Sequence, residues 1–317
     1  MTERATAAAR FGLGLAALGR PAYLTSGRGA DLGGHREVAA LRARTHEMLD
    51  AAWSRGIRFV DAARSYGLAE AFLGDWLARH PERRGELVVE SKWGYEYVGG
   101  WWLDAPVHER KSHTLAQLER QWPETLAALG GAPDRYLVHS LTVDGPVLHD
   151  EALLDRLRGL AASGVRIGLS TSGPRQADAI DAARELADSP FTVVQATWNL
   201  LEPSAGAALD RAHAAGWEVV VKEALANGRL AQGGADGEAA RAAAELARRD
   251  GQPVDAFAIG AVLAQGWCDT VLSGAVRPEQ LDENLAARAP GAGPAELAAL
   301  AEDAERYWSE RSRRDWG

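Results

Sequence analysis

Residues 135–170 have the sequence RYLVHSLTVDGPVLHDEALLDRLRGLAASGVRIGLS, in which two short apolar runs flank a helical pattern. The runs are Arg135–Val138 and Val165–Ser170, and apolar side chains recur at helical spacing in Leu153–Ala162 between them. Gly164 precedes the second run, at a position where glycine commonly ends a helix. This strand–helix–strand unit predicts two parallel strands joined by a right-handed crossover.

The same alternation extends along the rest of the chain. Eight strand–helix units in about 300 residues predict an α/β fold, a single-domain (β/α)8 TIM barrel over residues 1–317. An open, doubly wound parallel sheet is the alternative, because periodicity does not separate the two. The other apolar runs are Phe11–Leu15, Ile57–Val60, Leu87–Ser91, Phe191–Gln195, Trp217–Val221 and Thr270–Ser273, and further helical patterns are Ala40–Ser54, Leu115–Leu129 and Ala205–Ala215.

The composition is that of a globular protein, with 46% hydrophobic and 25% charged residues in 317. Acidic residues outnumber basic ones by 44 to 35, and the net charge of −9 argues against a nucleic-acid partner. Residues 1–19 lack the uninterrupted apolar core of a signal peptide, and no stretch of about 18 apolar residues predicts a membrane span. With a single cysteine, Cys268, we expect a cytoplasmic protein.

Polar, titratable side chains follow three of the predicted strands. Asp61 and Tyr66 follow the run at residues 57–60, Lys92 follows Leu87–Ser91, and His139 follows Arg135–Val138. Parallel α/β folds place their sites at the carboxyl ends of the strands, so these four side chains are expected to lie together.

The four side chains form a coherent acid–base set. A tyrosine phenol, with a pKa near 10, donates a proton near neutrality only if a nearby cation favours the phenolate. Lys92 supplies that cation, Asp61 holds Lys92 charged, and His139 hydrogen bonds a carbonyl oxygen or relays a proton. A hydride donor is the missing component, and a nicotinamide provides one.

The strings FVDAARSYG at 59–67, VVESKWGY at 88–95 and YLVHSL at 136–141 resemble the aldo-keto reductase superfamily. The resemblance runs from Phe11 to about Ala287. It implies a barrel enzyme, monomeric or a small homo-oligomer, that reduces an aldehyde or ketone to an alcohol with NADP(H). The catalytic residues that it implies are Asp61, Tyr66, Lys92 and His139.

The resemblance also implies residues that hold the nicotinamide half of the cofactor. Thr171 stands where the family usually has asparagine, which alters the carboxamide pocket but leaves a hydrogen-bonding group. Lys222 and Glu223 replace an aromatic residue that stacks on the nicotinamide and a serine, and a local ion pair is their alternative interpretation. The full set is Gly14, Leu15, Ser170, Thr171, Gln195, Lys222 and Glu223, followed by a phosphate-wrapping loop with Leu225, Asn227 and Gly228.

The string LSGAVRPEQLDEN at residues 272–284 resembles the clamp that holds the adenosine phosphate in this family. Arg277 is the candidate for a cofactor 2′-phosphate, which favours NADP(H) over NAD(H). The clamp residues are Ser273, Gly274, Arg277, Gln280, Glu283 and Asn284. The remaining histidines lack metal-ligand spacing, so no metal is expected.

Eleven tryptophans are unusual for this length. Four of them, Trp93, Trp101, Trp102 and Trp198, follow strand ends or lie in the insert Tyr95–His113, the expected specificity element, where they would wall a pocket for a sugar or another cyclic carbonyl. Two other functions stay open. One is a cofactor-binding regulatory subunit with little turnover, and the other is a phosphate-sugar isomerase, which needs a carboxylate base and no cofactor.

Overall fold

Eight parallel strands form a closed barrel in the computed structural model, which describes residues 8–21, 37–102, 105–234 and 236–314. The barrel order is β1-β10-β9-β8-β7-β6-β3-β2, and β4 and β5 pair as an antiparallel hairpin outside it. The predicted (β/α)8 barrel is confirmed, and the open sheet is excluded. The strands are β1 Phe11–Gly14, β2 Phe59–Asp61, β3 Val88–Trp93, β4 Tyr95–Tyr97, β5 Glu109–Lys111, β6 Arg135–Leu141, β7 Arg166–Thr171, β8 Phe191–Thr197, β9 Glu218–Lys222 and β10 Thr270–Ser273.

Helices surround the barrel, and local side-chain and glycine geometry sets where several of them begin and end. The side chains of Thr114 and Asp150 cap two helices by accepting hydrogen bonds from backbone N–H groups. Gly164 has a positive φ of 97°, which suits the end of a helix before a strand. The helices are α1 Val38–Ser54, α2 Ala69–Arg79, α3 Leu115–Leu129, α4 Glu151–Ala162, α5 Gln176–Glu185, α6 Gly206–Ala214, α7 Glu238–Arg249, α8 Val254–Leu263, α9 Pro278–Leu285, α10 Pro294–Ala298 and α11 Ala304–Ser312.

The interior of the barrel has an apolar middle layer. Only glycine fits at position 12 in this layer, because a Cβ there would lie 2.7 Å from side-chain atoms of both Leu272 and Phe59. Charged residues lie nearer the amino ends of the strands and polar residues at the carboxyl ends, and Glu90 of β3 contacts Arg135 on the first side and Gln195 on the second. Its side chains are Phe59, Leu137, Val193, Val220 and Leu272.

A second apolar cluster lies under the C-terminal helix α11. Tyr307 and Trp308 are buried there against residues of α7 and α8. This packing fixes α11 beside the carboxyl end of β9, which brings its last turn to the site described below.

Within the described residues, no helix is long and apolar enough to cross a membrane. The same part of the chain has no group of three or more histidine, cysteine, aspartate or glutamate side chains that could hold a metal ion. Burial raises the pKa of the Cys268 thiol to about 12, so this cysteine stays protonated near neutrality.

Candidate active site

The carboxyl ends of β2 and β3 bring three of the predicted catalytic residues together. Lys92 Nζ donates hydrogen bonds to an Asp61 carboxylate oxygen and, at 3.3 Å, to the Tyr66 hydroxyl. A third bond from Nζ reaches the Ala62 carbonyl oxygen at 3.1 Å. Lys92 is 0% exposed, so water does not screen the charge of its ammonium group from the Tyr66 phenol. The Tyr66 side chain itself faces an open cavity.

His139 completes the group from the end of β6. Its ring lies edge-on to the Tyr66 ring at 5.5 Å between centroids, and its Nδ1 lies 3.4 Å from the Ser65 hydroxyl. Burial, and then the positive charge of Lys92, lower the pKa of His139 well below its usual 6.5. The imidazole is therefore neutral near pH 7 and can donate one hydrogen bond to a carbonyl oxygen.

Gln195 lies behind the tetrad at the end of β8 rather than with its amide free in the cavity. Its Nε2 donates to Asp61 Oδ1 at 3.0 Å and to Glu90 Oε1 at 2.6 Å. The amide thus bridges two buried carboxyl groups. Glu90 is a site neighbour that the sequence analysis did not select, although a glutamate inside the apolar string VVESK is a visible signal.

A cavity of about 380 Å³ opens over the tetrad. Its wall contains Asp61, Tyr66 and His139, while Lys92 lies beneath them. Most of the predicted cofactor residues also line this cavity: Gly14, Gln195, Lys222, Glu223, Leu225, Asn227, Gly228, Ser273, Gly274, Gln280 and Asn284. One continuous cavity therefore joins the tetrad to the β10–α9 clamp.

Three predicted cofactor residues are buried behind the cavity wall. Leu15 is a core side chain. The Ser170 hydroxyl accepts a hydrogen bond from the Ser140 N–H at 2.8 Å, and Thr171 donates to Gln176 Oε1 at 3.3 Å. Neither β7 hydroxyl is presented to the cavity.

The clamp residues divide between the cavity wall and the surface. Asn284 Nδ2 donates to Ser273 Oγ at 2.7 Å, which ties α9 to the end of β10. Gln280 Oε1 accepts from the N–H groups of Val276 and Arg277 at 2.9 and 3.2 Å. The Arg277 side chain is exposed at the start of α9, next to the cavity-lining Val276, and Glu283 is exposed on the same helix.

Lys222 and Glu223 form the local ion pair of the alternative interpretation, with an N–O distance of 3.8 Å, and Arg311 of α11 joins them. Arg311 Nε donates to Glu223 Oε2 at 2.9 Å. Burial lowers the pKa of Lys222 to about 8, although Glu223 acts against this. For Glu223, burial is outweighed by the charges of Arg311 and Lys222, and its pKa falls to about 2. All three side chains line the cavity.

The structure corrects the placement expected for the four tryptophans, since none of them lines this cavity. Side chains alternate along a strand, so Trp93 points outward when Lys92 points inward, and it is fully buried near His113. Trp198 packs against Trp267 at 5.7 Å between ring centroids.

In the insert, Trp101 lies edge-on to the Tyr97 ring. Trp102 is 70% exposed. Residues 103–104 of this insert lie outside the described residues.

Other side chains take the wall positions that the tryptophans were expected to fill. Arg20 of the β1–α1 connection donates to Glu109 Oε1 at 2.7 Å and lies over the Tyr66 ring at 5.3 Å. The centroid of the Tyr95 ring lies 5.0 Å from that of the His139 ring. Arg20 and Arg311 were missed because only the fold brings them to the site, whereas Tyr95 and Glu109 belong to the insert singled out above.

Fold and site together define a barrel protein in which tyrosine, lysine, aspartate and histidine meet beside one cavity. The model of the Aldo/keto reductase family matches residues 29–300. The chain belongs to this family, which places it among oxidoreductases that use nicotinamide cofactors. The resemblance drawn from the sequence is thereby confirmed.

Individual proteins similar to this chain share less than a third of its sequence. A D-threo-aldose 1-dehydrogenase from Pseudomonas sp is 29% identical, covering 90% of this chain and 92% of the relative. The holo form of an aldo-keto reductase from Bacillus halodurans superposes with a TM-score of 0.68 at 20% identity, over 93% of each chain. An aldo-keto reductase structure from Pseudomonas aeruginosa gives 0.61 at 21% identity, over 92% of this chain and 90% of its own. These structural matches show the fold.

Proposed function

We propose that this chain catalyses the NADP(H)-dependent interconversion of an aldehyde or ketone with an alcohol, and that Tyr66 is its proton donor. The observation that carries the proposal is Lys92 Nζ, which hydrogen bonds both Asp61 and the Tyr66 hydroxyl beneath the open cavity. A buried ammonium at 3.3 Å stabilises the phenolate that remains after the proton has left.

The cavity wall fits a nicotinamide dinucleotide. Asn227 Oδ1 is buried and has no hydrogen-bond partner among the described residues, so it is available to a ligand donor. Gly274 has nothing within 4 Å of a Cβ position, which leaves room beside the clamp. Lys222 offers positive charge for a phosphate, and Ser273 and Asn284 face the same cavity.

When bound, the reduced cofactor supplies the hydride, and the residues of the chain manage the proton. Neutral His139 donates a hydrogen bond that orients the carbonyl oxygen toward Tyr66. Tyr66 gives its proton to that oxygen, and the ammonium group of Lys92, itself held in place by Asp61, stabilises the resulting phenolate. In the oxidation direction the Tyr66 phenolate accepts the proton of the alcohol.

We propose a sugar or another cyclic carbonyl compound as the substrate. The wall beside Tyr66 carries Arg20, Tyr95, Glu109, Ser140 and Ser172, which together offer donors and acceptors for several hydroxyl groups. The aldose dehydrogenase among the relatives agrees with this class of substrate.

Tyr66→Phe tests the role of the phenol. The variant should lower kcat by about 10²–10⁴-fold while the Kd for NADPH stays near that of the wild type, because only the transferred proton is lost. The assay follows NADPH absorbance with aldehydes and, in reverse, NADP⁺ reduction with aldoses. Tyr95→Phe is the matched control, since it loses a hydroxyl from the same wall but one that does not contact Lys92, and we expect kcat within about tenfold of wild type.

Two outcomes contradict this assignment. If Tyr66→Phe keeps the wild-type kcat, Tyr66 is not the proton donor. Tight NADPH binding by the wild type without turnover of any aldehyde, ketone or aldose favours the regulatory cofactor-binding subunit instead.

Arg277→Ala tests the preference for NADP(H). Loss of the guanidinium should weaken NADPH binding by about tenfold or more and change NADH binding little, because only NADPH carries a 2′-phosphate. Fluorescence titration with the two cofactors measures both constants. Arg288→Ala, which removes an arginine from beyond the end of α9, is the control, and equal losses for the two cofactors would exclude a 2′-phosphate contact.

A further inference from the structure

Glu90 is a fully buried carboxyl group in the barrel interior, two residues before Lys92 on β3. Its Oε1 accepts a hydrogen bond from Gln195 Nε2, which also donates to Asp61. Gln195 therefore holds the carboxyl groups of Glu90 and Asp61 next to each other, while Glu90 Oε2 has no hydrogen-bond partner among the described residues. Two neighbouring carboxyl groups can hydrogen bond to each other only when they hold a proton between them.

The cations nearest to Glu90 have other anionic partners. Lys92 is paired with Asp61. On the side away from the cavity, Arg135 Nη1 of β6 lies 3.9 Å from Glu90 Oε2, but the Arg135 guanidinium is paired with Glu218 of β9. Glu218 is also 2.6 Å from Arg166 of β7. These residues and Asp61 are the charged groups that face Glu90 from the neighbouring strands, and each of the two nearest cations has a closer anionic partner than Glu90.

We propose that Glu90 is a positioning residue for the tetrad, whose protonated carboxyl donates a hydrogen bond to Asp61 and so leaves a single negative charge beside Lys92. This inference rests on the proposed function, because the affected property is the acidity of the Tyr66 phenol. Of the two carboxyl groups, Asp61 is the one that Lys92 contacts directly.

The protonation state of Glu90 agrees with this arrangement. Burial, and then the charge of Asp61, raise the pKa of Glu90 to about 8, against the opposing charges of Lys92 and Arg135. Above that pH a second negative charge appears behind Lys92. This charge opposes ionisation of the Tyr66 phenol. Alcohol oxidation, which needs the phenolate, therefore requires a higher pH.

The experiment compares Glu90→Gln, which keeps a neutral hydrogen-bond donor, with Glu90→Leu, which has similar size and no donor. Glu90→Leu should lower kcat by about tenfold or more with a smaller change in KM, because Asp61 and Gln195 lose their common partner. Glu90→Gln should recover most of that loss near pH 7. In alcohol oxidation, kcat rises with pH as the phenol ionises. This rise should occur at a pH about half a unit or more lower in Glu90→Gln than in the wild type.

Glu70→Gln is the matched control. Glu70 is also a buried glutamate, and it bonds Ser91, the residue between Glu90 and Lys92, as well as Thr125, but not the tetrad. The control should keep the wild-type pH profile. A purely structural role for Glu90 would lower the unfolding temperature of both Glu90 variants and leave their kcat values and pH profiles at wild type, which would overturn the proposal. If Tyr66→Phe loses turnover while both Glu90 variants behave as the wild type, only the positioning role of Glu90 is refuted. If Tyr66→Phe keeps wild-type turnover, the proposed function itself is refuted.

Discussion

Gly19 shows how closely the backbone around Tyr66 is packed. A Cβ at this position would lie 2.2 Å from the Tyr66 carbonyl oxygen and 2.5 Å from Ala69 Cβ. The Gly19 carbonyl also accepts the N–H of Leu68 at 2.7 Å. The position of Tyr66 therefore depends on a residue that carries no chemistry.

Gly19→Ala should lower both stability and kcat. The added methyl group displaces the backbone of Tyr66, at a cost of about 1–3 kcal/mol in the free energy of unfolding. A shift of the phenol should reduce kcat by about tenfold or more. Urea unfolding and steady-state kinetics measure the two effects.

Gly85→Ala is the control for Gly19→Ala. Gly85 is exposed, has an ordinary φ and has nothing within 4 Å of a Cβ position. We expect unchanged kcat in this variant. Equal behaviour of the two alanine variants would show that the close approach at Tyr66 does not constrain the site.

Much of the site could be predicted at the residue scale because its chemistry follows strand ends. Asp61, Lys92 and His139 each end or follow an apolar run, so a parallel fold brings them together. The outward direction of Trp93 was predictable in principle, since the alternation that turns Lys92 inward turns Trp93 away. Arg311 was not predictable, because 88 residues separate it from Glu223 and only tertiary packing joins them.

At the scale of elements, α11 is attached to the barrel by an ion pair, an apolar face and hydrogen bonds of Tyr307 and Trp308 to residues that follow β8. Arg311 bonds Glu223 at the end of β9, while Tyr307 and Trp308 fill the second apolar cluster. Glu223 itself has a φ of +56°, an uncommon backbone conformation outside glycine. The ion pair and the burial of α11 together hold this backbone beside the cavity.

Arg311→Ala should destabilise this attachment. Glu223 loses its hydrogen-bonded cation but keeps Lys222, so we expect a cost of about 1–3 kcal/mol rather than that of a fully unpaired buried charge. Hydrogen exchange of residues 304–312 should become faster, and the pKa of Glu223 should rise.

Arg313→Ala is the matched control at the end of the same helix, because among the described residues the Arg313 side chain hydrogen bonds to Ser309 of α11 and not to the barrel. Exchange of α11 amides at the wild-type rate in Arg311→Ala would show that Tyr307 and Trp308 suffice to hold the helix.

The elements themselves follow closely from the sequence. The predicted Thr270–Ser273 and Leu115–Leu129 coincide with β10 and α3, because β-branched runs and helical periodicity agree there with burial. The sequence predicts only an insert where the β4–β5 hairpin lies. Its strands are three residues each and partly exposed, so they lack the apolar alternation that predicts a strand.

The whole molecule should become less stable with rising pH because of Glu90. Its pKa is about 8 when folded against an ordinary 4.5, so the folded state binds the extra proton between these values. Stability that is present below pH 4.5 is therefore lost as the pH rises toward and through 8. His113 acts oppositely at lower pH, since burial lowers its pKa to about 4 and stability rises between 4 and 6.5.

The difference between wild type and Glu90→Gln isolates the contribution of Glu90. Urea unfolding at pH 5 and pH 8 should show a fall for the wild type that exceeds that of the variant by on the order of a few kcal/mol. Parallel pH dependence of the two proteins would mean that Glu90 titrates normally.

The apolar middle layer of the barrel has a consequence for proton supply. Phe59, Leu137, Val193, Val220 and Leu272 lie between the tetrad and the opposite end of the barrel. Tyr66 faces solvent through the cavity, the same opening that would admit the substrate, while on the other side Gln195 and Glu90 connect Asp61 to Arg135 near the amino ends of the strands. In the proposed mechanism this opening is the direct route by which water reprotonates Tyr66, so recovery of the proton is coupled to release of the product.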